Sequence, residues 1–428
     1  MYDDIFNLRK RSKSNQSFTV QPKSGLCILC RGTKMLCGKN SCPVVMRYHQ
    51  NMQVAPLIDT LNLEGSSPPS VFVGRVGYPK VSIGPLIPPV KGDTSILDTP
   101  EKWVGKTMDE IVAMRSQLVR GKYSVRVDNV ENAGRLVDIV REMAMAKNPA
   151  DVDATLLKKP RGGLVLSDSV QPHGPSAPLK SLTVDTLKID RRIDRAYSDT
   201  DLFAKDAVLT LYHNDVSVTR IQRAFSVGSF GLGDNRKFVP TRWSITAVDD
   251  TISKHTVEKV KDFAWINEYR VYESWSLDNR FLVLMIPAAW SYELVEAWYP
   301  KTTWNPDGEE IAIFSSSEGY GGRSKYAEIG GCYYAARLAT SEHLEKEKRQ
   351  ASIVILREAH PGYIMPVGVW NVRENVRAAV RNSPRRFNTM SEALGYVQTR
   401  LDIPLSTWVK NSWMLRQRLF QRRLDDYT

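Results

Sequence analysis

The chain has 428 residues and a mass of 48.4 kDa, with 42% hydrophobic and 25% charged side chains and a mean hydropathy of −0.33. These values exclude collagen-like, wholly disordered and membrane-spanning classes, and the length exceeds the roughly 250–300 residues at which single cores stop growing. The formal charge is +12 and uneven: residues 1–50 hold nine basic and two acidic side chains and residues 371–428 eleven and five, leaving the 320 between them near neutral. Two basic ends on a neutral body form a footprint suited to a polyanion such as nucleic acid; basic termini that merely aid solubility are the alternative.

In chain order, residues 1–24 read as a basic tail without the apolar core of an export signal. The longest apolar run, Phe281 to Trp290, is interrupted by Pro287 and is too short to span a bilayer. The protein is therefore expected to stay where it is made, in the cytoplasm and associated with the nucleoid. Residues 25–50 contain Cys27, Cys30, Cys37 and Cys42, a C-x2-C-x6-C-x4-C motif followed by Pro43. Four thiolates at tetrahedral corners hold zinc at about 2.3 Å, and Gly32 and Gly38 let the backbone turn between the two pairs. One structural Zn²⁺ is expected, at a closed site with no open position for catalysis. Two disulfides are the rival in an oxidising compartment, and free thiols the plainest alternative. His49 could replace a cysteine, although a surface histidine explains it as well.

Residues 51–300 read as one α+β region. VFVG and VSIG, within the Pro- and Gly-rich stretch 66–100, are short strands. Thr107 and Glu110 form a capping box ahead of a helix through Met108, Ile111, Val112, Arg115, Leu118 and Val119. A second helix follows over 129–147 and stops at Asn148-Pro149. Residues 167–180 are a polar, proline-rich loop. The β-branched and aromatic content of 207–213, 216–221, 269–273 and 281–286 predicts four strands. Five tryptophans between Trp265 and Trp304 are expected in the core rather than stacked on bases. After Tyr299-Pro300 a second α+β region, 301–412, brings a strand at IAIF, a helix near Ser341 to Gln350, a strand at 352–357 and further helices.

Two glycine-rich stretches, 228–236 and 315–331, set glycines beside Arg236 and Arg323. Such loops can cradle a phosphate with a guanidinium clamp, but neither matches a P-loop or dinucleotide fingerprint, and a tight turn is the stronger reading. Asp215, Asp249, Asp250, Glu318, Glu358 and His360 could serve a two-metal nuclease if they converged; buried ion pairs explain the same residues. Residues 413–428 form a second basic tail ending in Gln421, Leu424, Tyr427 and Thr428. Q-x-x-L-x-x-aromatic is the core of peptides that dock on the DNA sliding clamp (PCNA). In one 3₁₀ turn, residues three apart eclipse, so Leu424 and Tyr427 project as a single apolar plug, with Gln421 left to hydrogen-bond. Thr428 stands where the full consensus has a second aromatic, which implies weaker docking.

Together with RKFVPTRWSITAVDD, EGYGGRSKYAEIGG and REAHPGYIMPVGVWNVRENVR, the four-cysteine motif and this tail resemble the archaeal Nre family of DNA repair proteins over nearly the whole chain. The resemblance implies a zinc finger at Cys27, Cys30, Cys37 and Cys42 and a clamp-binding peptide at Gln421, Leu424 and Tyr427. It also implies N- and C-terminal family regions compatible with a break near residue 300, and it supplies no catalytic residue. The expected protein is α+β and two-lobed, with a small zinc knuckle and a flexible C-terminal tail. Its expected role is a DNA-binding repair factor recruited by the clamp. A metal-dependent nuclease or lesion-processing hydrolase using the central polar residues is the alternative, and an RNA-associated zinc protein a third.

Overall fold

The structure is a computed structural model that describes residues 34–39, 42–162, 164–165, 170–302, 305 and 308–420. It is α+β, built as two lobes, each on a mixed six-stranded sheet. The first lobe begins with helix α1 (Pro43–Ile58) and strands β1 (Asn62–Ser67), β2 (Val71–Val73) and β3 (Lys80–Ile87). Helix α2 (Met108–Ser116), β4 (Val119–Arg126), α3 (Arg135–Met145), β5 (Ala150–Leu156) and β6 (Ser176–Val184) complete it. The spatial order is β1-β5-β6-β4-β3-β2, antiparallel throughout except for the parallel β4–β6 pair. The predicted Thr107–Glu110 capping box is formed at the start of α2. Ile83–Ile87 of β3 are buried on both faces, whereas burial alternates along β5 and β6, so these two strands turn one face to the core. On that face Val81, Val119, Val152, Ala177 and Leu182 join Val137, Val140 and Ala144 of α3.

A helical layer follows: α4 (Arg191–Ser198), α5 (Ala204–His213), α6 (Val218–Ser226) and α7 (Thr241–Lys261). Two of the strands expected from composition, 207–213 and 216–221, are therefore helices. Their buried side chains fall at helical spacing, Ala207, Val208 and Leu211 in α5 and Val218, Ile221 and Phe225 in α6, with Val248 and Ile252 of α7 alongside. The β-branched residues fill this small helical core, and packing of an apolar face outweighs intrinsic propensity. Gly228, at φ +73°, turns the chain after α6, where a side chain would be strained.

The second lobe holds β7 (Tyr269–Ser276), β8 (Asn279–Ile286), β9 (Ser291–Trp298) and β10 (Ala312–Glu318), then α8 (Gly331–Glu347) and β11 (Ser352–Ala359). Helix α9 (Trp370–Arg381), β12 (Arg385–Phe387), α10 (Met390–Arg400), α11 (Leu405–Asn411) and α12 (Trp413–Phe420) end it. The order is β10-β9-β11-β8-β7-β12, with β9 and β11 the parallel pair. This sheet is covered on both sides. Phe281, Val283, Tyr292, Ile353 and Ile355 face α7, α8 and α9, while Leu282, Leu284, Val354 and Leu356 face α10, α11 and α12. The expected division at residue 300 falls inside the sheet, because β9 and β10 pair across it.

Candidate functional site

Cys27, Cys30 and the tail from Gln421 to Thr428 lie outside the described residues. The other two cysteines of the motif are described, and both are half-buried, with no disulfide among the described residues. Cys37 sits in a turn that Gly38, at φ +73°, allows. Its neighbour Lys39 donates to the Lys301 carbonyl at 2.6 Å, so this segment rests on the turn that follows β9. Cys42 stands at the N-cap of α1, with Pro43 in the first turn. Both side chains are sulfur donors, the residue type that a thiolate metal site requires.

The helix that carries the C-terminal tail is fixed at its other end. Ser412 Oγ donates to the fully buried Glu293 carboxylate of β9 at 2.5 Å, and the N–H groups of Trp413 and Met414 donate at 2.8 and 2.9 Å. Burial raises the Glu293 carboxyl above the ordinary glutamate value, with the Ser412 hydroxyl and the two N–H groups pulling the other way. At the opposite end of α12, Leu419 is 39% and Phe420 74% exposed, immediately before Gln421. Sequence reading had no signal for Glu293, a single carboxylate 119 residues from Ser412.

Both arginines of the glycine-rich stretches are committed to their own turns. Arg236 donates to the carbonyls of Gly231 and Asp199 at 2.9 and 3.0 Å and lies over the Tyr197 ring. Arg323 donates to the carbonyls of Ser317, Lys325 and Tyr326 and to Glu328. A phosphate at either place would have to displace these bonds.

The five candidate carboxylates and the histidine fall in several distinct places. Asp249, fully buried, accepts from Arg373 Nη1 at 2.9 and 3.0 Å and from Gln222 Nε2 at 2.9 Å. Asp250 and Glu318 share Arg337, which reaches Glu318 at 2.7 Å and also bonds Asp250. Burial works against the Arg337 charge, but Glu318 and Asp250 outweigh it and hold its pKa above the usual arginine value. Asp215 is exposed in the turn after α5, at φ 57°. These are ion pairs and turn residues rather than one converging site.

Glu358 and His360 do meet, and the structure adds Asp402, which the sequence reading did not single out. One ligand atom from each of the three lies within 4.8 Å of the other two. Glu358 is the penultimate residue of the fully buried strand β11, and its Oε1 accepts the N–H groups of Asp402 and Ile403 at 3.0 and 2.9 Å. His360 follows at once; its own N–H donates to the Asp278 carbonyl, and Asp278 Oδ2 accepts the Gly362 N–H. Leu277 and Asp278, both at positive φ, form the tight β7–β8 hairpin that makes this contact possible. Tyr299 stacks on the imidazole at 4.6 Å and Trp275 lies 5.0 Å from it. Burial, then the charges of Glu358 and Asp402, push the Tyr299 phenol up to about 12. Of the tryptophans expected in the core, Trp290 and Trp298 are buried, whereas Trp265 and Trp275 are 56% and 51% exposed; Trp304 lies outside the described residues.

Residues 36–305 match the family model described as archaeal Nre, N-terminal, and residues 318–427 that described as archaeal Nre, C-terminal. The chain is 39% identical over 392 residues to DNA repair protein NreB of Archaeoglobus fulgidus, covering 91% of this chain and 97% of the relative. It is 34% identical to DNA repair protein NreA of the same organism, covering 88% and 94% of the two chains, and 33% identical to NreA of Haloferax volcanii, covering 82% and 86%. No solved structure matches.

Proposed function

The chain belongs to the archaeal Nre family, and from that premise we propose that it is a DNA repair factor brought to DNA by the sliding clamp through its C-terminal peptide. The observation that carries this reading is the full-length similarity to relatives named DNA repair proteins. In this chain it coincides with Q-x-x-L-x-x-Y directly after a helix pinned to the body by Glu293. Leu424 and Tyr427 are the apolar anchors, since a peptide ligand takes most of its affinity from a few side chains in pockets. Gln421 supplies the polar contact, and Thr428 keeps the docking modest, in the micromolar range or about −8 kcal/mol.

Within the same proposal, Cys27, Cys30, Cys37 and Cys42 would hold one zinc, which ties the N-terminal segment into a folded knuckle. Elemental analysis of reduced protein should give about one zinc per chain, unchanged by Cys332→Ser. The basic ends would contact DNA phosphates, which position a protein without reading sequence. Replacing Arg416, Arg418, Arg422 and Arg423 together should flatten the dependence of log K on log salt. Calorimetry with the cognate clamp tests the recruitment step itself. The full chain should bind and a chain ending at Phe420 should not; equal affinities would remove the tail from the account.

A further inference from the structure

We propose that Glu358, His360 and Asp402 form a second metal site, separate from the cysteine motif, that takes one divalent cation of the Mn²⁺ or Zn²⁺ class. The clamp-recruitment reading does not require it. The argument starts from an unsatisfied group. His360 is 8% exposed, and its Nε2 is buried with no hydrogen-bond partner among the described residues. A buried ring nitrogen left unpaired is costly, and native structures rarely leave one so. Yet this nitrogen stands only 3.4 Å from Glu358 Oε2, on the oxygen that does not accept the backbone N–H groups of Asp402 and Ile403. Close approach without hydrogen-bond alignment is what two ligands of a single cation show, because each points at the ion and not at the other. Donors about 2.1 Å from a metal at tetrahedral angles are separated by about 3.4 Å.

The remaining geometry suits an open site. Asp402 is the outer member: its Oδ2 lies 3.8 Å from the other ring nitrogen, Nδ1, its Oδ1 shares the Arg280 guanidinium with Glu358 Oε2, and its side chain is 56% exposed, so the carboxylate has to turn toward the Nε2 side to complete the set. The imidazole cannot swing away, because Tyr299 stacks on it and Trp275 packs nearby. One imidazole with two carboxylates is a mixed nitrogen and oxygen set that suits Mn²⁺ and Zn²⁺, and three protein donors leave coordination positions for water or a ligand. The positive charge now at the cluster belongs to Arg280, whose Nη1 lies 3.4 Å from Glu358 Oε2 and 3.0 Å from Asp402 Oδ1. This guanidinium also lies 4.9 Å from the centre of the Trp275 ring, where it can remain once a metal replaces it between the carboxylates. Arg280 is thus the competitor that holds the carboxylates together without the ion.

Mn²⁺ is the probe that separates this site from the cysteines, since a hard ion prefers oxygen and nitrogen to thiolate. Electron paramagnetic resonance titration of the full-length reduced protein should show one bound Mn²⁺ per chain, unaltered by Cys27→Ser with Cys30→Ser. His360→Ala and Asp402→Asn should each weaken binding at least about tenfold. The second of these changes an exposed side chain and leaves the Glu358 contacts in place. Arg280→Ala should tighten binding, which a purely structural ion-pair cluster would not do. Absence of bound Mn²⁺ at about 1 mM, or affinity indifferent to both His360→Ala and Asp402→Asn, would overturn the proposal while leaving clamp binding by the tail untouched.

Discussion

The two sheets have the same number of strands and one parallel pair each, yet β5 and β6 of the first are buried differently from β11 of the second. The first packs one face on α3, and β5 and β6 alternate between buried and exposed residues. The second lies between two helical layers, and every residue of β11 is buried. A strand with two covered faces cannot end in solvent-facing alternation. The polar residues that close it, Glu358 and then His360, are held in place by packing and by fixed hydrogen bonds. A precise side-chain cluster follows more readily from the doubly covered strand than from the half-open ones, because rigid elements position groups better than loops do.

This contrast can be broken at neighbouring positions. In β11, Ile355→Ala and Leu356→Ala point into opposite layers and should each cost about 2–5 kcal/mol in denaturant unfolding. In β6, Leu182→Ala should cost a comparable amount, whereas the adjacent Ser181→Ala should stay within about 0.5 kcal/mol. Equal costs at Ser181 and Leu182 would contradict the one-faced reading of β6. Glu293→Gln removes the charged acceptor beneath α12 and should cost about 1–3 kcal/mol, with earlier proteolysis near Trp413 as a second readout.

A smaller effect is expected from His173, buried beside Phe72 shortly before β6. Burial, then the nearby Arg120 charge, lowers its pKa to about 3. The unfolded chain therefore binds one more proton than the folded one between about pH 6.5 and 3. The contribution of His173 to stability is present in full above pH 6.5 and is lost progressively as the pH falls below it. His173→Gln should reduce the acid sensitivity of unfolding over that interval, and an identical pH profile for the two proteins would contradict the burial argument.

The sequence made some of this visible and hid the rest for physical reasons. FLVLMI and SIVILR are continuous apolar runs, which is how strands covered on both faces look, and both are strands of the second sheet. The capping box at Thr107 fixed the start of α2 because its chemistry is local. AVLTLYH and VSVTRI misled because a seven- or six-residue window holds too few turns to separate period two from period 3.6, and their β-branched content then weighed toward strand. Glu358 and His360 were legible as a pair two residues apart. Asp402 was not, since only the packing of the α10–α11 connection against the end of β11 brings it near. The cysteine motif and the terminal Q-x-x-L-x-x-Y pattern are legible from spacing alone, and most of their residues lie outside the described structure.

The central claim is that the last eight residues are the handle by which the clamp recruits an independently folded body. Leu424→Ala combined with Tyr427→Ala should be titrated with the cognate clamp by calorimetry, with zinc content and melting temperature measured on the same sample. The account predicts loss of detectable clamp binding with both other quantities unchanged. Clamp affinity equal to that of the unaltered chain would contradict it.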